Sequence, residues 1–311
     1  MIPRPILIGI VGDSASGKTT LTRGLMRILG DEHATHVSAD HYHRYDRRQR
    51  LQRGLTALSP DANYLDILEQ HLLHLRAGEP ILKPVYSHQD GRAGAPEYVV
   101  PNQFTIVEGL LAFHTPPMRE VFDVRVFLDP PEDLRRHWKV QRDCSRRGYT
   151  TDQVLDELDR SEADSEMFIR PQRRCADIVV RFHEGTRQDQ EHLDAELTLR
   201  PGLEHPDLAA LVERGRDAIT LSRHGQELRL TVRGALAPED STAIQEAIWE
   251  RIPFATHLRS ERLGEFTVAT QLRRSESLAI TQLLALYQMI TARAAISVGA
   301  AGARTDLGGA G

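Results

Sequence analysis

The amino-acid sequence predicts an α/β fold in which a mostly parallel sheet is flanked by helices and followed by a smaller α+β C-terminal extension. The first observation is a set of short apolar runs, such as Ile6–Val11 and Phe104–Val107, which are typical of parallel strands buried on both faces. The second is that segments with helical apolar spacing separate these runs. The third is a change of pattern at His183, after which short strands with polar turns predominate.

Composition and charge are ordinary for a soluble globular protein. The 311 residues are 40% apolar and 27% charged, with a formal net charge of −5. This charge gives no general signal for nucleic-acid binding, and no apolar run approaches the length that spans a membrane. Only Cys144 and Cys175 occur, so no disulfide framework is expected. We therefore expect a cytoplasmic protein without a nucleic-acid or membrane partner.

The first element is a strand over Ile6–Val11, and the turn that follows it fits the phosphate-binding pattern G-x-x-x-x-G-K-[ST]. A helix over Thr20–Leu29 is predicted next, so the motif lies between a strand and a helix, as this loop requires. Lys18 would reach the β- and γ-phosphates, and the Thr19 hydroxyl would ligate magnesium. We therefore predict a nucleoside triphosphate site, whose nucleotide-binding residues are Gly12, Asp13, Ser14, Ala15, Ser16, Gly17, Lys18, Thr19 and Thr20.

A second short strand, Thr35–Ala39, ends in Asp40. Because catalytic groups of open α/β sheets gather at the carboxyl ends of strands, Asp40 is well placed to face the γ-phosphate. It could accept the proton of an attacking hydroxyl or hold magnesium. The alternative is a structural aspartate that caps a helix or turn.

Five arginines and one aspartate lie between Arg44 and Arg53. Such a run is usually a solvated face. Beside a phosphoryl-transfer site, however, guanidinium groups are suited to hold an anionic, phosphorylated acceptor. His43 could hydrogen-bond the same acceptor, although a lone histidine is more often structural.

The next segments are a helix over Asp66–Arg76, an extended segment and polar loop over Ile81–Arg92, and the strand Phe104–Val107. Glu108 follows that strand at its carboxyl end. An acidic residue in this place fits the Walker-B-like element of a nucleotide site and would hold the magnesium shell.

A strand over Val124–Leu128 leads into a helix over Glu132–Arg147, in which Lys139, Arg142 and Arg146 share one face beside Asp143. The spacing fits a surface helix stabilised by ion pairs. It fits equally a lid helix that brings cations onto the transferring phosphoryl group. A helix over Thr151–Ser161 and a strand over Ala176–Phe182 complete this half.

The change of pattern along the remaining chain predicts how the protein is divided into domains. We predict a nucleotide-binding core over residues 1–185, an α+β extension over 186–295 that extends the sheet or forms a subunit contact, and a disordered tail over 296–311. The predicted elements of the extension are the strands Ala195–Arg200, Ala218–Ser222 and Glu227–Val232 and the helices Thr242–Arg251 and Ser275–Ala295.

Taken together, residues 5–182 resemble the phosphoribulokinase/uridine kinase family of P-loop kinases, and within it the phosphoribulokinases of plants and cyanobacteria. The segments that carry the resemblance are Gly12–Thr20, Asp40–His43 with Asp46–Arg47, Thr56–Asn63, Lys83–His88, Val107–Leu110, Trp138–Asp143 with Arg146–Gly148, and Ile169–Gln172. Weaker similarity continues over Leu228–Arg233, Leu263–Glu265 and Ser277–Ile290.

The resemblance implies an enzyme that uses ATP and Mg²⁺ to phosphorylate ribulose 5-phosphate at O1, giving the ribulose 1,5-bisphosphate that is used in carbon fixation. Asp40 would be the base, and a homodimer is expected. The residues implied are catalytic Asp40, Lys18, Lys139, Arg142 and Asp143; substrate-binding His43, Arg47, Arg50, Tyr86, His88 and Arg147; and magnesium-binding Thr19, Glu108 and Asp40. Two alternatives remain: a uridine-type nucleoside kinase, and a nucleotide-binding regulatory protein without catalytic activity.

Overall fold

The computed structural model describes residues 4–185, 192–252, 258, 260–268 and 271–297, apart from the side chains of residues 146 and 260. Its main feature is an eight-stranded sheet. The strands in chain order are β1 Ile6–Gly12, β2 Ala34–Ser38, β3 Ile81–Lys83, β4 Tyr86–Ser87, β5 Arg92–Ala93, β6 Glu97–Val99, β7 Phe104–Gly109, β8 Val124–Leu128, β9 Ile178–His183, β10 Asp194–Leu199, β11 Ile219–His224, β12 Glu227–Val232, β13 Glu265–Val268 and β14 Gln271–Arg274.

Helices flank this sheet and connect its strands. They are α1 Lys18–Leu29, α2 Arg47–Gln52, α3 Leu65–Ala77, α4 Pro116–Glu120, α5 Glu132–Arg147, α6 Thr151–Asp164, α7 Leu208–Gly215, α8 Pro238–Trp249 and α9 Glu276–Ser297. A short 3₁₀ turn, Ala39–His41, follows β2, and a π turn, Ser165–Ile169, continues α6.

The strands run in the order β11-β12-β10-β9-β8-β1-β7-β2. The pairs β2/β7, β7/β1, β1/β8 and β8/β9 are parallel, whereas β9/β10, β10/β12 and β12/β11 are antiparallel. The α/β fold is therefore confirmed. Because β2, β7, β1, β8 and β9 run parallel, the loops after β1, β2, β7 and β8 emerge at one edge, where the predicted site residues lie.

The fold buries β1 completely, as its apolar sequence predicted. One hydrophobic cluster contains Ile8 of β1, Leu25 of α1, Leu197 of β10 and Leu283 of α9. The core is thus continuous from the P-loop strand to the last helix. Strands β10–β12 extend the same sheet, while the division of the chain into two domains stays a prediction.

Helix α9 differs from the expectation that no apolar run reaches membrane-spanning length. By length and composition this 22-residue helix could cross a membrane, but 61% of its apolar stretch is buried inside the protein. Leu283, Leu286 and Met289 are fully buried in the core. Its apolar character is therefore accounted for by packing against α1, β1 and β10.

Several element boundaries differ from the sequence prediction. Helix α8 begins at Pro238 rather than at Thr242, because proline suits the first helical position and acidic residues follow in the first turn. Helix α9 extends to Ser297 rather than ending at Ala295. The tail predicted to be disordered, residues 296–311, lies outside the described residues after Ser297.

Candidate active site

The loop between β1 and α1 has the geometry of a phosphate cradle. Gly17 adopts φ +97°, a left-handed conformation that glycine tolerates. A Cβ on Gly12 would lie 2.6 Å from the Leu128 carbonyl oxygen and 2.6 Å from Ser16 Oγ, so a side chain there would close the loop. The buried Lys18 Nζ donates to the carbonyl oxygens of Gly12 (2.9 Å) and Asp13 (2.8 Å).

Oxygen ligands suited to magnesium stand beside this lysine. Thr19 Oγ1 donates to Glu108 Oε2 at 3.2 Å, which confirms that the end of β7 faces the P-loop. Burial lowers the pKa of Lys18, and the charges of Asp40 and Glu108 oppose this effect, so both carboxylates lie near its amine. No group of three or more His, Cys, Asp or Glu side chains that could hold a metal occurs among the described residues. A site with so few protein oxygen ligands fits Mg²⁺, which usually keeps several water and phosphate ligands.

Asp40 lies in the 3₁₀ turn after β2, and its carboxylate reaches across to the neighbouring strand. Its Oδ1 accepts a hydrogen bond from Leu110 N at 2.8 Å. No side chain caps the turn itself. A Cβ on Gly109 would lie 2.6 Å from Ala39 Cβ and 3.0 Å from Asp40 Oδ1, so the strands approach closely only because glycine occurs there. The carboxylate is therefore tied to the residue that follows β7, and its role as a base stays a prediction.

The buried His43 and the half-buried His88 lie near Asp40, whose charge acts on both imidazoles. The His43 and Tyr86 rings meet edge to face at 4.5 Å, and Tyr86 contacts His88 at 5.3 Å. Burial, reinforced by the charge of Arg50, lowers the pKa of His43 to about 4. His43 is consequently neutral at pH 7. In this state it can exchange hydrogen bonds with hydroxyl groups, but it is not a cation for a phosphate.

Asn63 fixes the tautomer of His43. Its Nδ2 donates to the carbonyl oxygens of Ala57 (3.1 Å) and Ser59 (2.8 Å), which leaves Oδ1 as the acceptor for His43 Nδ1 at 2.8 Å. Nδ1 therefore carries the proton, and the lone pair of Nε2 remains available to accept a hydrogen bond.

Helix α2 brings two predicted arginines to the same region. The helix begins with a capping box in which Asp46 accepts from Gln49 N at 2.7 Å. The Arg47 guanidinium donates to the His88 carbonyl oxygen. The buried Arg50 donates from Nη1 to the Tyr86 hydroxyl at 3.0 Å. Both groups border the rings of His43, Tyr86 and His88, which we call the imidazole cluster. Their contact with an acceptor stays a prediction.

The lid, which we define as helices α5 and α6, carries a compact ion cluster. Asp143, only 1% exposed, lies 3.4 Å from Lys139 Nζ, 2.8 Å from Arg142 Nε and 3.3 Å from Arg147 Nη1. Burial alone would raise the pKa of Asp143, but hydrogen bonding from Arg142 and the charges of Lys139 and Arg147 outweigh it and lower the pKa. Lys139 also pairs with Glu157 of α6 at 3.1 Å. The predicted side chain of Arg146 lies outside the described residues.

The charges of the lid also act on the imidazole cluster. Burial lowers the pKa of His88, the charge of Asp40 opposes this, and the charges of Arg147, Arg142 and Arg50 lower it further. Charged groups from the end of β2, from α2 and from α5 therefore converge on one imidazole. The cations of α5 form ion pairs and lie near the imidazole of His88, while the closing of this helix over a phosphoryl group stays a prediction.

Lys83 and His41 lie in segments that carry the family resemblance, but the sequence analysis gave neither of them a role in the site. Lys83 is 2% exposed, and its Nζ donates to His41 Nδ1 at 2.9 Å and pairs with Glu97 at 3.2 Å. Burial, then the Lys83 charge, lowers the pKa of His41 to about 4. The available signal was alternation along β3, which places Lys83 on the buried face with Ile81.

These features define the protein as a P-loop kinase, with a nucleotide cradle on β1–α1 and carboxylates at the ends of β2 and β7. The profile of the phosphoribulokinase / uridine kinase family matches residues 7–187. The chain belongs to this family.

Individual relatives agree with this assignment. A protein named phosphoribulokinase from the cyanobacterium Synechocystis is 38% identical over 58% of this chain and 54% of its own. A uridine kinase from Oceanobacillus iheyensis is 33% identical over 57% of this chain and 86% of its own. The chain spans about half the length of the curated phosphoribulokinases it matches. The structure of phosphoribulokinase from Rhodobacter spheroides is 19% identical and superposes with a TM-score of 0.59, over 80% of this chain and 97% of that one. This superposition supports the fold alone.

Proposed function

We propose that this chain transfers the γ-phosphoryl group of MgATP to a hydroxyl of a sugar phosphate, with ribulose 5-phosphate as the expected acceptor and O1 as the site of transfer. The observation that carries the proposal is that Arg50 bonds the Tyr86 hydroxyl at 3.0 Å and Tyr86 contacts the His88 ring at 5.3 Å, beside an imidazole on which the charges of Asp40, Arg142 and Arg147 also act. A carboxylate for the hydroxyl proton thus stands near guanidinium groups suited to an acceptor phosphate.

Each group has a definite task in this reaction. Asp40 would take the hydroxyl proton as the bond to phosphorus forms. Lys18 would leave its own loop carbonyls and move to the β- and γ-phosphates. Thr19 and Glu108, with Asp40 at the edge of the shell, would hold Mg²⁺, which neutralises charge on the phosphates when bound. The neutral His43 would accept a hydrogen bond from a sugar hydroxyl at Nε2, and the arginines would bind the acceptor phosphate.

A uridine-type nucleoside kinase is the second candidate, favoured by the 33% identity to a uridine kinase of which the chain covers 86%. A neutral nucleoside, however, offers no phosphate for Arg47, Arg50 and Arg147. The cyanobacterial relative named phosphoribulokinase supports the sugar-phosphate acceptor instead.

The test is ADP release from MgATP with ribulose 5-phosphate, ribose 5-phosphate or uridine as acceptor. We expect turnover with ribulose 5-phosphate, and a loss of at least about a hundredfold in kcat for Asp40→Asn, because the base is removed while the shape is kept. Asp61→Asn, on an exposed turn, is the control and should keep wild-type turnover. Turnover with uridine alone would overturn the acceptor. Nucleotide binding without turnover on any acceptor would favour a regulatory protein.

A further inference from the structure

The acidic residue of the P-loop, Asp13, is buried and bonded on three sides. Its Oδ1 accepts from Ser14 N at 2.7 Å and lies 3.5 Å from Arg135 Nη1. Its Oδ2 accepts from the Ser165 hydroxyl, in the π turn that continues α6. Helices α5 and α6 are therefore joined to the phosphate cradle through one carboxylate.

Arg135 is built to contact the loop and not the nucleotide. It is 4% exposed. Its Nε and Nη2 donate to the two carboxylate oxygens of Glu132 at 2.8 and 2.6 Å, which fixes the plane of the guanidinium. The remaining nitrogen, Nη1, donates to the Ser14 carbonyl oxygen at 3.1 Å and faces Asp13. Since every nitrogen is engaged, Arg135 acts on the site through the P-loop backbone.

The charge of Asp13 reaches the phosphate site. Burial lowers the pKa of Lys18, and the charge of Asp13 is among those that oppose this effect, so the carboxylate acts on the lysine that would bind the phosphates. A triphosphate brings several negative charges to the same loop. Without a compensating cation, a buried carboxylate there would repel the ligand. Arg135, whose Nη1 lies 3.5 Å from Oδ1, is the cation that lies against it, and the charge of Asp13 also acts on Arg170.

The loop conformation also needs support. Ala15 adopts φ +65°, a left-handed conformation that is uncommon and strained for a residue other than glycine. The preceding residue, Ser14, is fixed on both sides, because its N–H donates to Asp13 and its carbonyl oxygen accepts from Arg135. These contacts hold the backbone that leads into Ala15.

We propose that Arg135 is a positioning residue of the nucleotide site, which neutralises Asp13 and fixes the Ser14 peptide so that the P-loop accepts a nucleotide. The inference rests on the proposed kinase function, because it concerns the site that would hold ATP. Helix α5, which carries Arg142, is then also joined to the phosphate cradle by Arg135.

The test is calorimetric titration of the full chain with MgADP. We expect Arg135→Met to raise the Kd roughly tenfold, and Arg135→Lys, which keeps the charge and loses the planar contact, to raise it by less. The decisive variant is Arg135→Met combined with Asp13→Asn. Because the uncompensated carboxylate is then gone, its Kd should return to within about threefold of the wild type. Arg136→Met, on the same helix, is the matched control and should stay within about twofold.

A double variant that binds MgADP no better than Arg135→Met would overturn the neutralisation of Asp13 by Arg135. A wild-type Kd for Arg135→Met would overturn the proposal directly. Should Arg135→Met fail to fold, the Arg135→Lys variant with and without Asp13→Asn gives the same comparison. Failure of the wild type to bind MgADP would overturn the kinase function as well, whereas a wild type that binds and turns over beside unaffected variants would overturn this inference alone.

Discussion

Acidification tests whether the fold keeps His43 neutral. The side chain is 7% exposed, and burial together with the charge of Arg50 lowers its pKa from 6.5 to about 4. One pKa unit corresponds to about 1.4 kcal/mol, so the full difference is about 3 kcal/mol. Between pH 6.5 and 4 the unfolded chain binds a proton that the folded chain does not, and stability therefore falls as the pH falls. From pH 7 to pH 5 this contribution is about 2 kcal/mol.

The assay is urea unfolding of the wild type and His43→Asn at pH 7 and pH 5. Asparagine keeps a donor for Asn63 but does not titrate. The wild type should lose about 2 kcal/mol more than the variant over this interval. His137→Asn, which replaces an exposed histidine of α5, should lose as much as the wild type. Equal losses in the wild type and His43→Asn would refute the link between burial and the pKa of His43.

Two further predictions concern the turn after β2 and the lid. Gly109→Ala would collide with the turn that carries Asp40 and should cost about 1–3 kcal/mol in thermal unfolding and lower kcat. Gly94→Ala, whose Cβ would meet Val85 only at ordinary contact distances of 3.7 Å or more, should do neither. Asp143→Asn should cost about 1.5–3 kcal/mol at pH 7 in urea unfolding. Because the folded pKa of Asp143 is lowered, this difference is present above the ordinary carboxyl pKa and should vanish as the pH falls through the folded value. Asp159→Asn removes an exposed ion pair with α5 and should lower the free energy of unfolding by less than about 1 kcal/mol. A larger loss for Asp159→Asn, or no loss for Asp143→Asn, would contradict the argument.

Local patterns predicted the parts of the site that lie at the ends of strands. The run Ile6–Val11 followed by a glycine-rich turn identified β1 and the P-loop, because strand burial and left-handed turn positions are encoded within a few residues. Asp40 and Glu108 were predicted from one topological rule, namely that parallel strands end at the same edge of a sheet. The contacts of both residues with neighbouring segments confirm that placement.

The sequence could not reveal contacts between distant segments. Ser165 donates to Asp13 across 152 positions of the chain, and Nη1 of Arg135 donates to the Ser14 carbonyl across 121. In the sequence, Arg135 is one of several basic residues of an amphipathic helix, and nothing in the helical spacing separates it from Arg136. Its burial is decided by how α5 packs against the P-loop, which only the tertiary structure determines.

The imidazole cluster explains why the positive charge of this site should not depend on pH near neutrality. The pKa values of His41 and His43 are about 4, and that of His88 is also lowered. Guanidinium groups stay protonated throughout this range. A site that relied on protonated histidines would lose its charge between pH 5 and 7, whereas here arginine and lysine side chains supply it. We therefore expect a change in the binding of a phosphorylated ligand between pH 5 and 7 to follow mainly the second ionisation of the ligand phosphate, whose pKa is about 6.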